Sequence, residues 1–499
     1  MSGGFSTIDW VVFSSYFLLL VLTSWYAARI RIRSGRDYFT GGNNVPFWAA
    51  AVSLLATSQS AATFLGGPEY SYNKDLTFLG FYASALLAAL IVAKVLLPKL
   101  YAMRAVTVYE LLETRYGAQA KRDAGVMFLL GRLFASGARL YIGALAVSMI
   151  VFLDIAPLHM LFSVVLLMAA ATAYAYKGGV KSVIFSDIIQ ASVYVGAAVA
   201  VAAYLFVQLG GDAEKMIEAW QNAGKLTLID TSFTGGFSLW SLASGWLLLN
   251  IAAYGLDQDM TQRALTCRDI KSAQRSMVWG VLLTVPVAML FLLIGLLLYL
   301  YYHDPSFAQG EALRTFEGEK VTVFMAYILH EMPEGLRGLV AAGAVAAALS
   351  SSNSVLSAMA SVAVEDIYAP LRKKAGKTVD ELKAGRAAVL LFAVALSIMA
   401  MLSYYWQRSS DIPLLNFALG VMAFAYAGLL GVYGAALFTK RGDAARVRTA
   451  LIVGFLTVLA LQPYILGDTL SLHIGFAWQL LIGTAISFCV MTINANNKI

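Results

Sequence analysis

The sequence predicts an all-α, polytopic membrane protein, and three observations lead to that class. Hydrophobic residues make up 60% of the 499 residues and charged residues only 13%, with a mean hydropathy of +0.72. Long apolar runs recur along the whole chain, and each is about long enough to cross a bilayer. The basic residues stand in small groups between these runs rather than on one domain, which suits membrane topology and not nucleic-acid binding.

A search for runs of about 20 apolar residues predicts thirteen membrane helices, numbered here as segments 1 to 13. They cover residues 9–29, 46–66, 76–98, 124–152, 158–176, 182–208, 236–255, 277–302, 338–364, 384–405, 412–438, 448–466 and 473–493. The long, acidic loops 209–235 and 303–337 are expected to hold short surface helices. With no separate soluble domain in the pattern, residues 1–499 form a single membrane domain.

The basic loops orient the chain. They follow the odd-numbered segments, as in "RIRIRSGR" after segment 1 and "RKK" after segment 9. The positive-inside rule therefore puts the N-terminus outside and the C-terminus in the cytoplasm, which requires an odd number of spans. We expect a multi-pass protein of the plasma membrane, in bacteria the inner membrane. Cys267 in a loop and Cys489 in a helix predict no disulfide.

Segment 9 carries polar side chains at membrane depth, where they are costly and mark functional positions. In its stretch "AAALSSSNSVLSAM", one helix face holds Ala347, Ser350, Ser351 and Ser354. Their hydroxyl and carbonyl oxygens are ligands that suit Na⁺. Small residues on one face are equally typical of a helix-packing seam, so spacing alone leaves both interpretations open.

Segment 2 has a matching polar stripe in "AVSLLATSQSAATFLGGPEYSY". Ala56, Gln59, Ser60 and Thr63 share a face, and the Gly-Gly-Pro of residues 66–68 follows. This triplet predicts a helix broken near mid-membrane, the best sequence indicator of a transport site. The alternative is that the triplet simply ends the span.

Ionisable residues point to two further places. Asp187 lies about 7 Å inside segment 6 from its cytoplasmic end and could bind a cation, line an inner exit path, or pair with Lys181 or Arg263. Arg132 and Arg139 share a face of segment 4, and a guanidinium at membrane depth suits a carboxylate ligand. Arg132 could instead extend to the inner surface.

The motifs for ATP-driven or enzymatic chemistry are missing from the sequence. It contains neither a GxxxxGK[ST] loop nor a Gly-rich dinucleotide fingerprint after a strand. The four His residues have no metal-ligand spacing. The pattern therefore favours a transporter over a pump or an enzyme.

Five ordered motifs carry a family resemblance. They are "DYFTGGNNVPFWAAAVSLLATSQSAATFLGGPEYSY", "TVYELLETRYG", "GGVKSVIFSDIIQ", "DQDMTQRALTCRDIKSAQR" and "GLVAAGAVAAALSSSNSVLSAMASVAVEDIY". Together they resemble the sodium/solute symporter family from about residue 37 to 370. The resemblance implies a leucine-transporter-like fold with two inverted five-helix repeats, 46–208 and 236–438. Segment 1 (9–29) precedes these repeats, and segments 12 and 13 (448–493) follow.

The resemblance also implies a function. It is Na⁺-coupled import of a small organic solute by alternating access, through a chain that works as a monomer in the lipid bilayer. The solute is expected to bear a carboxylate, of the sialic acid, amino acid or monocarboxylate type. A neutral-solute symporter and a transporter-like sensor are the alternatives. The sensor is disfavoured because no kinase or receiver segment follows segment 13.

Site residues are carried over position by position. The general sodium site would comprise the carbonyls of Ala56, Gln59 and Ala347 and the hydroxyls of Ser350 and Ser351. A second sodium would use Asp187 with Ser350 and Ser354, although Asn353 stands where two-sodium members have a hydroxyl. The candidate solute residues are Ser60, Thr63, Tyr82, Arg139, Asn250, Tyr254 and Asn416.

Two branches of the family guide the expectation about the solute. The sialic-acid branch resembles this chain at Ser60, Thr63 and "YNKDLTF", but it has Gln at the position of Tyr82. Its carboxylate-binding Arg aligns near Ala135, one turn from Arg139. The proline branch resembles "SGARL". Both branches point to a solute with a carboxylate.

Overall fold

The computed structural model describes residues 5–27, 32, 34–233, 235–316, 319–408, 414–462 and 474–493. Among them, the side chains of residues 24–27, 319–320 and 414–423 are not described. The helices are α1 Thr7–Ala27, α2 Gly35–Thr40, α3 Phe47–Ser58, α4 Ala61–Asn73, α5 Leu79–Ala102, α6 Glu110–Tyr116, α7 Ala118–Phe152, α8 Pro157–Gln208, α9 Ala213–Asn222, α10 Leu239–Leu256, α11 Gln258–Leu265, α12 Ile270–His303, α13 Val323–His330, α14 Leu336–Lys374, α15 Glu381–Arg408, α16 Leu414–Phe438, α17 Ala444–Ala460 and α18 Phe476–Thr492.

The chain is a helical, multi-pass membrane protein. Within the described residues, seven helices are long and apolar enough to cross a membrane, and shorter apolar helices accompany them. The ends of the predicted segments lie within about ten residues of the ends of these helices, with segment 2 divided between α3 and α4. The ends of segments 1, 11, 12 and 13 at residues 28–29, 412–413, 463–466 and 473 lie outside the described residues. The total of thirteen spans stays a prediction.

The helix of segment 2 is interrupted, but not where the sequence suggested. α3 ends at Ser58 and α4 begins at Ala61, while Gln59 (φ −81°, ψ 146°) and Ser60 (φ −148°, ψ 171°) are extended between them. The Gly-Gly-Pro of residues 66–68 lies inside α4, which continues to Asn73, so both the predicted break and the alternative end there are wrong.

The Gly-Gly-Pro triplet serves packing instead. A Cβ at Gly67 would lie 3.3 Å from the Phe291 Cβ on α12, and Gly295 of α12 lies against the Pro68 carbonyl. Ser71 donates a hydrogen bond of 2.8 Å to the Leu292 carbonyl. The neighbouring helix thus supports the turn that proline weakens, as happens in membrane helices.

A second interruption follows α10. Asp257 is extended (φ −91°, ψ 118°), and its carboxylate caps α11 by accepting a hydrogen bond of 3.0 Å from the Asp259 N–H. All eight residues of α11 are buried. The apolar-run criterion assigned these residues to a cytoplasmic loop, which is wrong because the charges of α11 pair with each other and with neighbouring helices inside the protein.

Segments 5 and 6 are confirmed as two helices that meet inside α8. Gly179 has φ 57° and ψ −158°, so the helix axis changes direction at this residue. A Cβ at Gly179 would lie 2.3 Å from the Tyr38 carbonyl oxygen, which leaves room only for glycine.

α14, which contains segment 9, is the central helix. In its most apolar 18-residue stretch 89% of the residues are buried, against 39% for α15. Small residues allow the close packing: a Cβ at Gly343 would lie 2.9 Å from the Ala197 Cβ of α8, and one at Gly143 of α7 would lie 2.5 Å from the Ala348 Cβ. Part of this helix is therefore a packing seam.

The two long loops contain the expected short helices. α9 is amphipathic, with Met216 and Trp220 buried. α13 is not a surface helix, since Val323–Leu329 are all buried and its apolar side chains leave no polar face. A short hairpin of β1 Thr315–Phe316 and β2 Glu319–Lys320 precedes α13. Glu69 of α4 pairs with Arg314 beside this hairpin and accepts a hydrogen bond of 2.8 Å from the Val323 N–H.

Candidate cation and solute site

The interruption between α3 and α4 faces the serine cluster of α14. The Ser350 hydroxyl donates hydrogen bonds to the Ala56 carbonyl at 2.9 Å and to the Ala347 carbonyl at 3.1 Å. An intact helix would pair the Ala56 carbonyl with the N–H of residue 60, but the extended backbone at Gln59 and Ser60 removes that partner. The break therefore turns a backbone oxygen toward α14.

The other predicted sodium ligands lie at the same place. Ser351 donates to the carbonyls of Ala347 at 3.2 Å and Ala348 at 3.1 Å. Gln59 begins the extended stretch, and its side-chain oxygen accepts a hydrogen bond of 3.3 Å from the Tyr194 hydroxyl. Ser350, Ala56, Ala347 and Gln59 are buried, so carbonyl and hydroxyl oxygens gather in a nearly dry environment. These are ligands that hard cations prefer.

The second predicted sodium site is built differently. Asp187 accepts a hydrogen bond of 2.5 Å from the Ser53 hydroxyl, and its carboxylate lies 3.7 Å from the Arg263 guanidinium. Arg263 also donates to Ser354, whose hydroxyl lies 3.1 Å from that of Thr57. Both Arg263 and Asp187 are fully buried. The pairing of Asp187 with Arg263 is thus present, but inside the protein rather than at the membrane interface.

Asn353 turns toward α8. Its side-chain amide donates to the Ser186 hydroxyl at 3.1 Å and to the Gln190 side chain at 3.5 Å, while its oxygen accepts a hydrogen bond of 3.3 Å from Ser354. The amide therefore satisfies neighbours on α8 where a hydroxyl would be free to rotate toward a cation.

A charged cluster that the sequence reading missed extends this region. Arg132 lies 2.5 Å from Asp257 and 3.3 Å from Asp259, and Arg263 lies 3.1 Å from Asp259. The Tyr426 hydroxyl donates to Asp257. Arg132 is buried in ion pairs and does not extend to the surface. The signal was present in "DQDMTQR", where two acidic residues precede a basic one, but an apolar-run search does not detect so polar a stretch.

The candidate solute residues surround the two interruptions. Ser60 is buried in the first break and Thr63 is half-buried one turn later. Tyr82 lies beside Gln59, and Tyr254 lies beside Ser58. Tyr82 and Tyr254 therefore lie next to the first break, which contains Ser60.

The other three candidate solute residues, Asn250, Arg139 and Asn416, lie on different helices. Asn250 is 3.4 Å from both the Phe81 carbonyl and the Ser84 hydroxyl, so it links α10 to α5. Arg139 is half-buried one turn from Gly143, where α7 touches both Ala61 and Ala348. The side chain of Asn416 lies outside the described residues.

Arg139 connects the solute candidates with the charged cluster. It interacts electrostatically with Arg132, Asp257 and Asp259 on one side and with Tyr254 on the other. Its neighbour Ala135 lines a small cleft with Arg132 and Tyr426. Within the described part of the chain, Arg139 is thus a cationic group that interacts with Tyr254 as well as with the charged cluster.

Two interrupted membrane helices, of which the first presents a backbone carbonyl to the serines of a central helix, are typical of a secondary transporter. The model of the sodium:solute symporter family matches residues 38–454. The chain belongs to the sodium:solute symporter family, and it is a Na⁺-coupled symporter of a small solute.

Relatives and solved structures agree with this assignment. The chain is 27% identical to the sodium/sialic acid symporter SiaT of Proteus mirabilis (strain HI4320), covering 91% of this chain and 90% of the relative. It is 26% identical to the sodium/sialic acid symporter NanT of Aliivibrio fischeri (strain ATCC 700601 / ES114), covering 91% and 88%. Human sodium-coupled monocarboxylate transporter 1 is 25% identical, covering 95% and 77%.

Among solved structures, a substrate-bound outward-open state of a Na⁺-coupled sialic acid symporter superposes with a TM-score of 0.82 at 26% identity. The match covers 98% of this chain and 97% of that one. The nucleobase-cation-symport-1 family transporter Mhp1 gives a TM-score of 0.55 at 15% identity, covering 91% and 93%, and shows likeness of fold alone. These neighbours are transporters of the leucine-transporter-like fold that the resemblance implied.

Proposed function

We propose that this chain imports a small carboxylate-bearing solute with Na⁺, that the first solute to test is a sialic acid, and that it acts as a transporter and not as an enzyme. The observation that carries the proposal is the contact between the Ser350 hydroxyl and the Ala56 carbonyl across the interrupted helix. Two relatives and a solved neighbour named as sialic acid symporters support the solute class.

The sodium ion would bind between α3 and α14. Its ligands would be the carbonyls of Ala56, Gln59 and Ala347 and the hydroxyls of Ser350 and Ser351. Because these oxygens belong to both an interrupted helix and the central helix, the ion would hold the two together. Sodium binding and solute binding would then raise each other's affinity by the same factor.

The solute would bind beside the sodium ion. The set comprises Ser60, Thr63, Tyr82, Arg139, Asn250, Tyr254 and Asn416. Arg139 would grip the carboxylate, since a guanidinium presents two parallel N–H donors to its two oxygens. Hydroxyls of serine, threonine and tyrosine suit the remaining polar groups of such a solute.

The second candidate sodium site, at Asp187 and Ser354, would bind no sodium ion. Arg263 supplies a positive charge beside Asp187 and Ser354, and Asn353 offers no hydroxyl. We therefore propose that one sodium ion accompanies each solute. Asp187, Ser354 and Arg263 would instead link α8, α14 and α11 as the transporter changes conformation.

The membrane arrangement follows from the basic loops. Thirteen spans would place the N-terminus outside and the C-terminus in the cytoplasm of a bacterial inner membrane, with repeats 46–208 and 236–438. The transporter would work as a monomer in the lipid bilayer.

A thermal-shift screen of the purified chain tests this function. Sialic acids, amino acids and monocarboxylates are compared with neutral sugars and nucleobases, each with Na⁺ and with K⁺ as the control cation. We expect an acid to raise the melting temperature only in Na⁺, since a bound ligand stabilises the folded state. Stabilisation by a neutral solute alone would reject the carboxylate assignment, and equal effects in K⁺ would reject sodium coupling.

A further inference from the structure

A second polar cavity lies away from the candidate solute site, among the basic loops. Its volume is about 420 Å³, and Arg36, Arg104 and Arg268 are three of its lining residues. Asn43, Tyr101 and Cys267 contribute further polar groups. The size is in the range of small-molecule sites, which run from about 300 to 1,000 Å³.

Hydrogen bonds between three separate segments build the walls of this cavity. Arg36, on α2, donates to the Arg104 carbonyl beyond the end of α5 at 2.7 Å. The Asn43 side chain donates to the Leu265 carbonyl at 2.7 Å. Tyr101 donates to the Cys267 carbonyl at 3.0 Å. The arginines therefore stand on a framework that joins the chain before α3, the end of α5 and the end of α11.

The cavity is cationic. Among the residues that the structure describes, Arg36, Arg104 and Arg268 form no ion pair within salt-bridge distance. Asp269 follows Arg268, and its charge interacts with Arg268, Cys267 and Tyr101, so it offsets part of the positive charge from outside the lining. Its carboxylate caps α12 by accepting hydrogen bonds from the Ser272 N–H at 2.9 Å and the Ser272 hydroxyl at 3.0 Å.

Two other groups could change this charge. Asp37 lies on α2 beside Gly42 and does not line the cavity. Burial raises the pKa of the Cys267 thiol to about 11, so the thiol is neutral at physiological pH. Three positive charges therefore face the cavity without a carboxylate or thiolate on its lining.

Arg104 is also held in an unusual backbone conformation. Its φ of 52° lies in the left-handed region, where a residue with a Cβ is strained. Glycine would adopt this turn without strain. An arginine here keeps a guanidinium at the cavity where the backbone alone would favour glycine.

We propose that this cavity binds a phosphate-bearing anion. Arginine guanidinium groups match phosphate oxygens in geometry and charge, and three from different segments suit a ligand with more than one negative charge. The bound anion would tie the chain before α3 and the end of α5 to α11. Since α11 carries Asp259 and Arg263, the anion would restrain the end of the second interrupted helix.

Isothermal titration of the full chain tests the binding. The chain is held in phosphatidylcholine nanodiscs with Na⁺, and inorganic pyrophosphate is the probe. We expect Arg36→Gln/Arg268→Gln to weaken binding about tenfold or more. Arg275→Gln is the matched control, because it removes an exposed charge of α12 that does not line the cavity, and its affinity should stay within about twofold.

A second arm distinguishes a lipid headgroup from a free phosphate. Native mass spectrometry measures how much phosphatidylglycerol each variant retains from mixed nanodiscs. Loss of pyrophosphate binding in the double variant supports a soluble ligand, and loss of lipid retention supports a headgroup. The single variant Arg268→Gln repeats both arms with only an exposed side chain changed.

The proposal is overturned if neither probe binds, or if the cavity variants and Arg275→Gln behave alike in both arms. Both readouts measure binding without transport. Failure here is therefore distinguishable from failure of the solute or sodium assignment, which the melting-temperature screen reports.

Discussion

Two candidate cation positions lie one turn apart on α14, and they differ in their charge. One is surrounded by uncharged oxygens, whereas the other already contains an ion pair. Around Ser350, the nearby oxygens belong to carbonyls and hydroxyls, and Ser350 bonds to Ala56. Around Ser354, four residues or about 6 Å further along the helix, a carboxylate from Asp187 and a guanidinium from Arg263 are already present.

The contrast teaches which position suits a transported ion. Neutral oxygens can bind and release a monovalent cation with little change in fixed charge. At the second position Arg263, which is part of the chain, lies 3.7 Å from Asp187, so an added cation would meet a positive charge within a few ångströms. Removing one member of a buried ion pair is costly, so the proposed transported ion is assigned to the position without a fixed charge.

The largest expected effect is on protein stability, at the position near Ser354 where Asp187 and Arg263 form a buried ion pair. Arg263→Gln leaves Asp187 buried without its cation and weakens the contact with Asp259, so we expect the free energy of unfolding to fall by about 3–5 kcal/mol. Thermal unfolding of the purified variant measures the loss. Arg275→Gln, an exposed cation on α12, should change stability by less than about 0.5 kcal/mol.

The double variant Asp187→Asn/Arg263→Gln sharpens this test. If the two charges balance each other, the double variant should be more stable than Arg263→Gln alone. A double variant that loses the sum of the two single losses would show that the charges are not coupled, and the contrast between the two positions would fail.

The next largest effect tests whether the Arg139 guanidinium binds the solute or only stabilises the fold. Arg139→Gln should lower uptake of the carboxylate solute about a hundredfold, because a charge-assisted, bidentate contact contributes a few kcal/mol. Arg139→Lys should recover part of the uptake. Stabilisation by Na⁺ in the melting assay should persist in both variants, and normal uptake by Arg139→Gln would exclude the carboxylate role.

A smaller effect, on the sodium dependence of uptake, tests the position around Ser350, where the nearby oxygens are uncharged. Ser350→Ala removes one of the five proposed ligands, and the Na⁺ concentration for half-maximal uptake should rise about tenfold, equal to roughly 1.4 kcal/mol. Ser352→Ala is the matched control, because the Ser352 hydroxyl bonds at 2.7 Å to the Ala348 carbonyl of its own helix. Equal sodium curves for the two variants would reject this site.

Much of this architecture could be predicted from the sequence, because apolar length and basic loops are local signals. The polar stripe of Ser350 and that of Ala56 were both visible, and the structure brings these residues together. The role proposed for them as sodium ligands could not be deduced from spacing, since a small-residue seam has the same pattern. Gly343 and Ala348 do form such a seam on the same helix.

The positions of the interruptions were harder to predict. Glycine and proline marked residues 66–68, but α12 supports the helix there, and the actual break at Gln59 and Ser60 carries neither residue type. Apolar content predicts a loop at the polar α11, because it is a poor guide where charges pair inside the protein. Both errors arise from tertiary contacts that a local pattern does not contain.

The smallest expected effect is a change that does not occur. If Arg263 takes the place of a second sodium, uptake should depend on Na⁺ with a Hill coefficient of about one in the wild type. Asp187→Asn should leave that coefficient at about one, even if stability falls, because no sodium ligand is lost. The measurement is initial uptake against Na⁺ at constant ionic strength, with Ser352→Ala as the control. A coefficient near two that drops to one in Asp187→Asn would assign a sodium ion to the charged position and end the contrast between the two turns of α14.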